Sequence, residues 1–207
     1  MKLEENLWGL NEKKHKKYNI AYNTCSDKNI CNSKEYHVWS YMLRLAYEDN
    51  QKFTNRRKDK KISVCEEWLN FANFNEWYNE NYYSVGNEYM DLCRNLLNQD
   101  NEEFCPDECV FAPRRLLQLI TPKRTAQNGL PRGVGYRNTT DTYYSTCYIT
   151  KNGKPTTIRH SGFKTADEAF QQYKKDKEDY IKAVAKEYMN KVPRSVYRAL
   201  MKYEVRP

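Results

Sequence analysis

The strongest constraint on the fold of this chain lies in residues 143–163, where two extended runs flank a tight turn. Tyr, Thr and Ile recur on both sides of Asn152-Gly153, and this dipeptide favours the positive backbone angles of a two-residue β-hairpin turn. A third extended run precedes the hairpin, and Thr165 and Glu168 have the spacing of a capping box that opens a helix. The sequence therefore predicts a three-stranded antiparallel sheet with a helix against one face.

Side-chain alternation along the middle strand divides its residues between the two faces of this sheet. Cys147 and Ile149 are predicted to point to the core. The opposite face is then aromatic and hydroxylic, with Tyr144, Thr146 and Tyr148 side by side. Because one helix buries only one face, we expect the other face to meet water or a partner.

A twisted sheet of this kind can enter the major groove of DNA with its open face. Arginine there can pair with guanine, and hydroxyl groups can reach phosphates or base edges. The candidate DNA-binding residues are Arg132, Tyr136, Arg137, Tyr144, Thr146, Tyr148, Thr150, Lys151, Thr157 and Arg159.

Charge is divided unevenly along the chain. Residues 122–207 contain 18 Lys and Arg against 8 Asp and Glu, a balance of +10, whereas residues 62–121 contain 3 against 11, a balance of −8. Concentrated positive charge is typical of proteins that bind polyanions, although a solvated basic surface gives the same pattern. We therefore expect double-stranded DNA as the partner of the basic part. A host protein is a further candidate partner, through the acidic segment.

Three parts are predicted along the chain. Residues 1–35 are rich in Asn and Lys and form an arm. Residues 36–121 carry two helical stripes, the first built on Trp39 and Met42, together with several short strands. Residues 122–207 contain a linker with Pro and Gly, the sheet, its helix and a final short helix. The predicted fold class is α+β.

Nine residues of the C-terminal part match a known pattern in order and spacing: Gly133, Val134, Arg137, Gly162, Phe163, Thr165, Glu168, Ala169 and Tyr173. On these residues, the stretch 129–180 resembles the Apetala-type (ethylene-response-factor) DNA-binding domain. The resemblance implies that the sheet, and not the helix, reads the major groove. Gly135 stands where the plant domains often have Arg, and Thr157 replaces another basic position, so the base preference does not carry over.

Four stretches of the N-terminal half carry a second resemblance: "WSYML" from Trp39, "VCEEW" from Val64, "FANFNEW" from Phe71 and "FCPDECVFAP" from Phe104. Together they are similar to phage-encoded HNH-type or homing-type endonucleases and their degenerate relatives, which carry the same sheet domain. The resemblance implies an HNH-like half that contains a ββα motif. An active member would use a divalent metal such as Mg²⁺.

The nuclease residues of those relatives are only partly present. The relatives have L-D-K-D at the start of the hairpin, and Cys93 and Asn95 stand at the two acidic positions here. Asp91 lies one residue earlier, and a one-residue slip reverses the face of a strand. The candidate catalytic residues are His37, Asp91, Asn95 and Glu108. We therefore predict a phage or mobile-element DNA-binding protein with a degenerate nuclease site; the alternatives are an active endonuclease and a non-enzymatic inhibitor of a host nucleic-acid machine.

Four cysteines in the same half are candidate zinc ligands: Cys65, Cys93, Cys105 and Cys109. Four thiolates suffice for a closed tetrahedral site, but no C-x-x-C pair occurs. The preferred interpretation is small buried thiols that pack a core.

Membrane association is not expected. No apolar run approaches the roughly 18 residues that a membrane-spanning helix needs, and the N-terminus "MKLEENLWGL" lacks the apolar core of a secretory signal. The predicted location is the cytoplasm, which for a phage-encoded chain is that of the host cell. The seven cysteines would be reduced there.

Overall fold

The structure is a computed structural model that describes residues 20–25, 30–48, 62–121, 129–151 and 153–207. It contains helices together with a three-stranded antiparallel sheet of consecutive strands, which confirms the predicted α+β class. The helices are α1 (Lys34–Tyr47), α2 (Glu66–Leu69), α3 (Phe71–Asn81), α4 (Arg114–Ile120), α5 (Ala166–Glu187) and α6 (Arg194–Met201). The strands are β1 (Ser63–Val64), β2 (Met90–Cys93), β3 (Glu103–Phe104), β4 (Val110–Pro113), β5 (Val134–Arg137), β6 (Thr142–Lys151) and β7 (Lys154–Phe163).

The chain forms two compact units, Met1–Ala112 and Pro113–Pro207. Helix α4 therefore belongs to the second unit, although the sequence placed it at the end of the first domain. The reason is that its ends are tied to that unit: Arg115 pairs with Glu187 at 3.2 Å, and the Tyr203 hydroxyl donates to the Ile120 carbonyl at 3.3 Å. Most of the predicted linker, residues 122–128, lies outside the described residues.

Aromatic rings build the core of the first unit. Trp39, Trp68, Phe71 and Phe74 are fully buried, and the Trp39 indole N–H donates to the Trp68 carbonyl at 2.7 Å. The rings of Trp68 and Phe74 meet edge to face, with centroids 5.1 Å apart. Aromatic side chains bury large areas each, so a chain with a mean hydropathy of −1.02 still forms a packed core.

A short piece of the predicted arm enters this core and interrupts a helix. The sequence predicts one helix where the structure has α2 and α3, separated by Asn70 in an extended conformation with ψ of 120°. The Tyr22 N–H donates to the Leu69 carbonyl and the Phe71 N–H donates to the Tyr22 carbonyl, both at 2.9 Å. Ala21 is buried beside them. The break therefore lets the arm pair with the backbone at the helix junction.

The sequence predicts short strands on either side of a turn at Asp100-Asn101, and the structure has β2 before a turn at Gln99-Asp100 and β3 after it. Strand β2 pairs with β4, while β3 pairs in parallel with β1, with Ser63 opposite Glu103. Along the chain, β3 lies between β2 and β4, and α4 belongs to the second unit.

The sheet of the second unit has the predicted three antiparallel strands, in the order β5-β6-β7. A bulge at Gly162, with φ of +90°, interrupts the ladder between β6 and β7. An extra residue in one strand reverses the faces beyond it, and here it places Phe163 opposite Tyr143. The turn residue Asn152 lies outside the described residues, and Gly153 has a φ of +72°.

Helix α5 covers one face of the sheet. The predicted capping box is present, because Thr165 accepts from the Glu168 N–H and the Glu168 side chain accepts from the Thr165 N–H. Ala169 and Phe170 are buried near its start. Its C-terminal half buries Ile181, Val184 and Ala185, and α6 packs against α5. Within the described ranges, no helix is both long and apolar enough to cross a membrane.

Candidate nucleic-acid interface

Strand register fixes which residues of β6 face helix α5. Ser145 and Cys147 are each 1% exposed, and their cross-strand partners are His160 and Ile158. His160 in turn approaches Asp176 of α5, with Nε2 and Oδ2 3.1 Å apart. The predicted direction of Cys147 is therefore confirmed. Ile149 shares this face but is only half-buried, since it lies toward the hairpin end.

The opposite face of the sheet carries the other residues of each strand. Directly opposed pairs share a face, and they join Tyr144 to Gly135, Thr146 to Arg159 and Tyr148 to Thr157. We call the seven predicted residues on this side the open face: Arg137, Tyr144, Thr146, Tyr148, Thr150, Thr157 and Arg159.

Two arginines of the open face contact the ring of Tyr144. The guanidinium carbon of Arg159 lies 5.4 Å from the ring centroid and that of Arg137 lies 6.0 Å from it. Both distances fall within the range of cation–π attraction. Arg159 Nε also donates to the Thr146 hydroxyl at 3.4 Å. The two positive groups are thus held at the sheet surface before any partner binds, which lowers the side-chain entropy lost on binding.

Glycine at position 135 makes room for this arrangement. A Cβ atom there would overlap the far end of the Tyr144 ring. Glycine therefore lets the ring of Tyr144 lie across β5, between its two arginines. Sequence reasoning missed this role, because it depends on how a side chain of the neighbouring strand is turned.

Thr146 is on the open face but is only 8% exposed. Its hydroxyl accepts the hydrogen bond from Arg159, the residue directly opposite it on β7. The sequence predicted a direct DNA contact from Thr146. In the structure its hydroxyl holds Arg159 instead.

The other three predicted DNA-binding residues lie away from the open face. Tyr136 alternates with Arg137 and therefore points to the other side of the sheet. There its ring centroid lies 4.9 Å from that of Tyr143, and its hydroxyl donates to the Asp141 carboxylate. That hydrogen bond is the main cause of a raised pKa for Tyr136. Lys151 continues the helix-facing series, opposite Lys154. Arg132 precedes β5 and interacts electrostatically with Tyr173 of α5, whose pKa is raised chiefly by burial and lowered in part by Arg132.

The candidate catalytic residues are spread over four local structures. His37 is exposed on α1, Asp91 lies in β2, Asn95 follows β2 in a bend, and Glu108 lies in the turn before β4. The Cys93 thiol donates to the side-chain amide oxygen Oδ1 of Asn95 at 3.5 Å. In the part of the chain that the structure describes, no group of three or more His, Cys, Asp or Glu could hold a metal ion. His37, Asp91 and Glu108 therefore do not form such a group among the described residues.

The four candidate zinc ligands are free thiols. Burial is the largest cause of a raised pKa for Cys65, Cys93 and Cys109. Cys109 is 3% exposed, and negative charge on Cys65, Cys93 or Cys105 would raise its pKa further. Burial therefore disfavours the thiolate form at Cys65, Cys93 and Cys109, and the thiolate is the form that binds a metal.

Comparison with known proteins adds no relative. No family model, no curated protein and no solved structure matches the chain. A function for this chain is therefore inferred from its own residues.

Proposed function

We propose that this chain is a double-stranded DNA-binding protein whose open face enters the major groove. The observation that carries the proposal is the Arg137–Tyr144–Arg159 arrangement, which presents two oriented guanidinium groups on the sheet face opposite α5. The two resemblances imply that a phage or mobile element encodes the chain and that it acts in the host cytoplasm. We include this origin and this location in the proposal.

The chemistry of the open face suits the edges of bases and the phosphates. A guanidinium group can donate two parallel hydrogen bonds to guanine O6 and N7. Around it, Tyr148 is 73% exposed, and Thr150 and Thr157 are also exposed. Their hydroxyl groups suit phosphate oxygens, which receive most protein–DNA hydrogen bonds.

Charge supports the same partner. The balance of +10 in residues 122–207 lies in the part of the chain that carries the open face. Neutralising phosphates releases counterions, so such binding weakens steeply as salt concentration rises.

DNA cleavage is not part of the proposal. Cys93 and Asn95 occupy the positions where the resemblance needs acidic groups, and neither supplies the negatively charged carboxylate oxygens that usually bind Mg²⁺ in proteins. The balance of −8 in residues 62–121 disfavours phosphate contact there. A basic host protein is the alternative partner for that segment.

Replacing Arg159 tests the proposal. Arg159→Ala should weaken specific duplex binding by about 1–3 kcal/mol, the range for a lost bidentate base contact. Because the side chain is exposed, thermal stability should change by no more than about 0.5 kcal/mol. Binding is measured by fluorescence anisotropy on a duplex selected from a random-sequence pool.

The matched control is Lys186→Ala, which removes an exposed positive charge from the end of α5. It should affect affinity much less than Arg159→Ala. Equal losses from the two variants would show that only net charge matters, and the open face would then not be the reading surface.

A further inference from the structure

The last helix, α6, presents a row of positive side chains that lies outside the stretch resembling a DNA-binding domain. Val196 and Leu200 are fully buried on one side of α6. Arg194, Arg198 and the C-cap residue Lys202 are exposed. We call these three residues the basic stripe.

The spacing of the basic stripe places its members on one side of the helix. Residues four apart advance about 6 Å along an α-helix and turn by about 40°. The three side chains therefore span about 12 Å within an arc of about 80°, roughly opposite the buried pair. A row of this length can follow the phosphates of a nucleic-acid backbone, which carries one charge per about 1.7 Å of duplex axis.

The stripe is not neutralised by neighbouring carboxylates, in contrast to Lys174 and Lys175 of α5. Lys174 pairs with Glu178 at 3.8 Å and Lys175 with Asp179 at 3.3 Å, one helical turn away. Among the described residues, no carboxylate lies within ion-pair distance of Arg194, Arg198 or Lys202. The positive charge of α6 is therefore available to a partner.

Helix stability does not account for the stripe. Positive residues near a helix C-terminus interact favourably with the helix dipole, which suits Arg198 and Lys202. Arg194 is the first residue of α6, where a positive charge is unfavourable, and the first turn contains no acidic residue. A stripe that begins at this position costs the helix stability, which points to a use outside the folded unit.

We propose that the basic stripe of α6 is a second, sequence-independent DNA contact that binds the phosphate backbone. This inference rests on the proposed function. A membrane surface is the less suitable partner, because interfacial helices insert an apolar face and the apolar residues of α6 are buried in the unit. Backbone contacts of this kind position a protein on DNA without reading its sequence.

The test compares two variants of the whole chain that each lose two positive charges: Arg194→Gln with Arg198→Gln, and Lys174→Gln with Lys175→Gln. Binding to random-sequence duplex is measured over a range of salt concentrations. Each lost phosphate contact lowers the slope of log affinity against log salt by about 0.9. The α6 variant should therefore lose about 1.8 of slope, and the α5 variant clearly less. Arg194→Lys with Arg198→Lys should restore the slope, and circular dichroism checks that every variant is folded.

The possible outcomes separate this inference from the proposed function. If the α6 variant and the wild type have equal salt slopes while Arg159→Ala still weakens duplex binding, the basic stripe is overturned and the open face remains the reading surface. If the α6 variant has a smaller salt slope than the wild type and Arg159→Ala does not change duplex affinity, the basic stripe is supported and the open face is overturned as the reading surface. Absence of duplex binding by the wild type would overturn both. Vesicles of anionic lipid serve as a second probe. If the α6 variant no longer binds the vesicles but binds the duplex as the wild type does, the basic stripe is not a DNA contact.

Discussion

Replacing Trp39 with alanine should lower the free energy of unfolding of the first unit by about 3–5 kcal/mol, the usual cost of removing a large buried ring. The side chain is fully buried, and its ring centroid lies 5.5 Å from that of Tyr36 and 5.4 Å from that of Phe71. The substitution also leaves the Trp68 carbonyl without the indole donor. Loss of a hydrogen-bond partner in a buried site adds to the cost of the cavity.

Tryptophan fluorescence during urea unfolding measures this effect in one unit alone. The second unit, Pro113–Pro207, contains no Trp, and Trp39, Trp68 and Trp77 lie in described parts of the first unit, so a change in their emission reports that unit. Tyr41→Ala, on the exposed side of the same helix, is the control and should change stability by no more than about 0.5 kcal/mol. A typical point mutation lowers the free energy of unfolding by about 1 kcal/mol. If Trp39→Ala lowers it by less than this, the core is not organised around the Trp39 ring.

Gly133→Ala should destabilise the second unit by about 2–5 kcal/mol, because two costs add: a left-handed backbone and an overpacked contact. Gly133 has a φ of +73°, and a Cβ atom there would overlap the ring of Tyr173 on α5. The Gly133 carbonyl also accepts the Thr146 N–H at 2.7 Å. A shift of this glycine would therefore disturb both the helix contact and the middle strand.

Gly135→Ala is the matched control, two residues away on the same run. The added Cβ meets only the far end of the Tyr144 ring, which can swing away. This variant should keep its stability and lose DNA affinity, since Tyr144 no longer lies between Arg137 and Arg159. Hydrogen exchange of the β6 amides, followed by mass spectrometry, should rise for Gly133→Ala and not for Gly135→Ala. The reverse order would contradict the contacts assigned to the two glycines, with Tyr173 for Gly133 and with Tyr144 for Gly135.

The features of the fold that the sequence predicts correctly are those with local signals. The capping residues Thr165 and Glu168 define the start of α5, and the runs around Asn152-Gly153 define β6 and β7. Each signal lies within a few residues of the structure that it specifies, so no distant contact decides the outcome.

Features that depend on distant contacts could not be predicted in this way. The helix break at Asn70 exists because Tyr22, far away in sequence, pairs with the backbone there. The low exposure of Thr146 depends on the position of Arg159 across the ladder. For Tyr136 the signal was present: it neighbours Arg137 in one strand, and alternation alone places the two on opposite faces.

The most direct test of the central claim is protection of guanine N7 from dimethyl sulfate, because N7 lies in the major groove. The wild-type chain is bound to a guanine-containing duplex selected from a random pool. If the open face reads the major groove, particular guanines should be protected, and Arg159→Ala should restore reactivity at one or more of them while the complex still forms at higher protein concentration. A saturated wild-type complex in which every guanine N7 reacts as in free DNA would contradict the account.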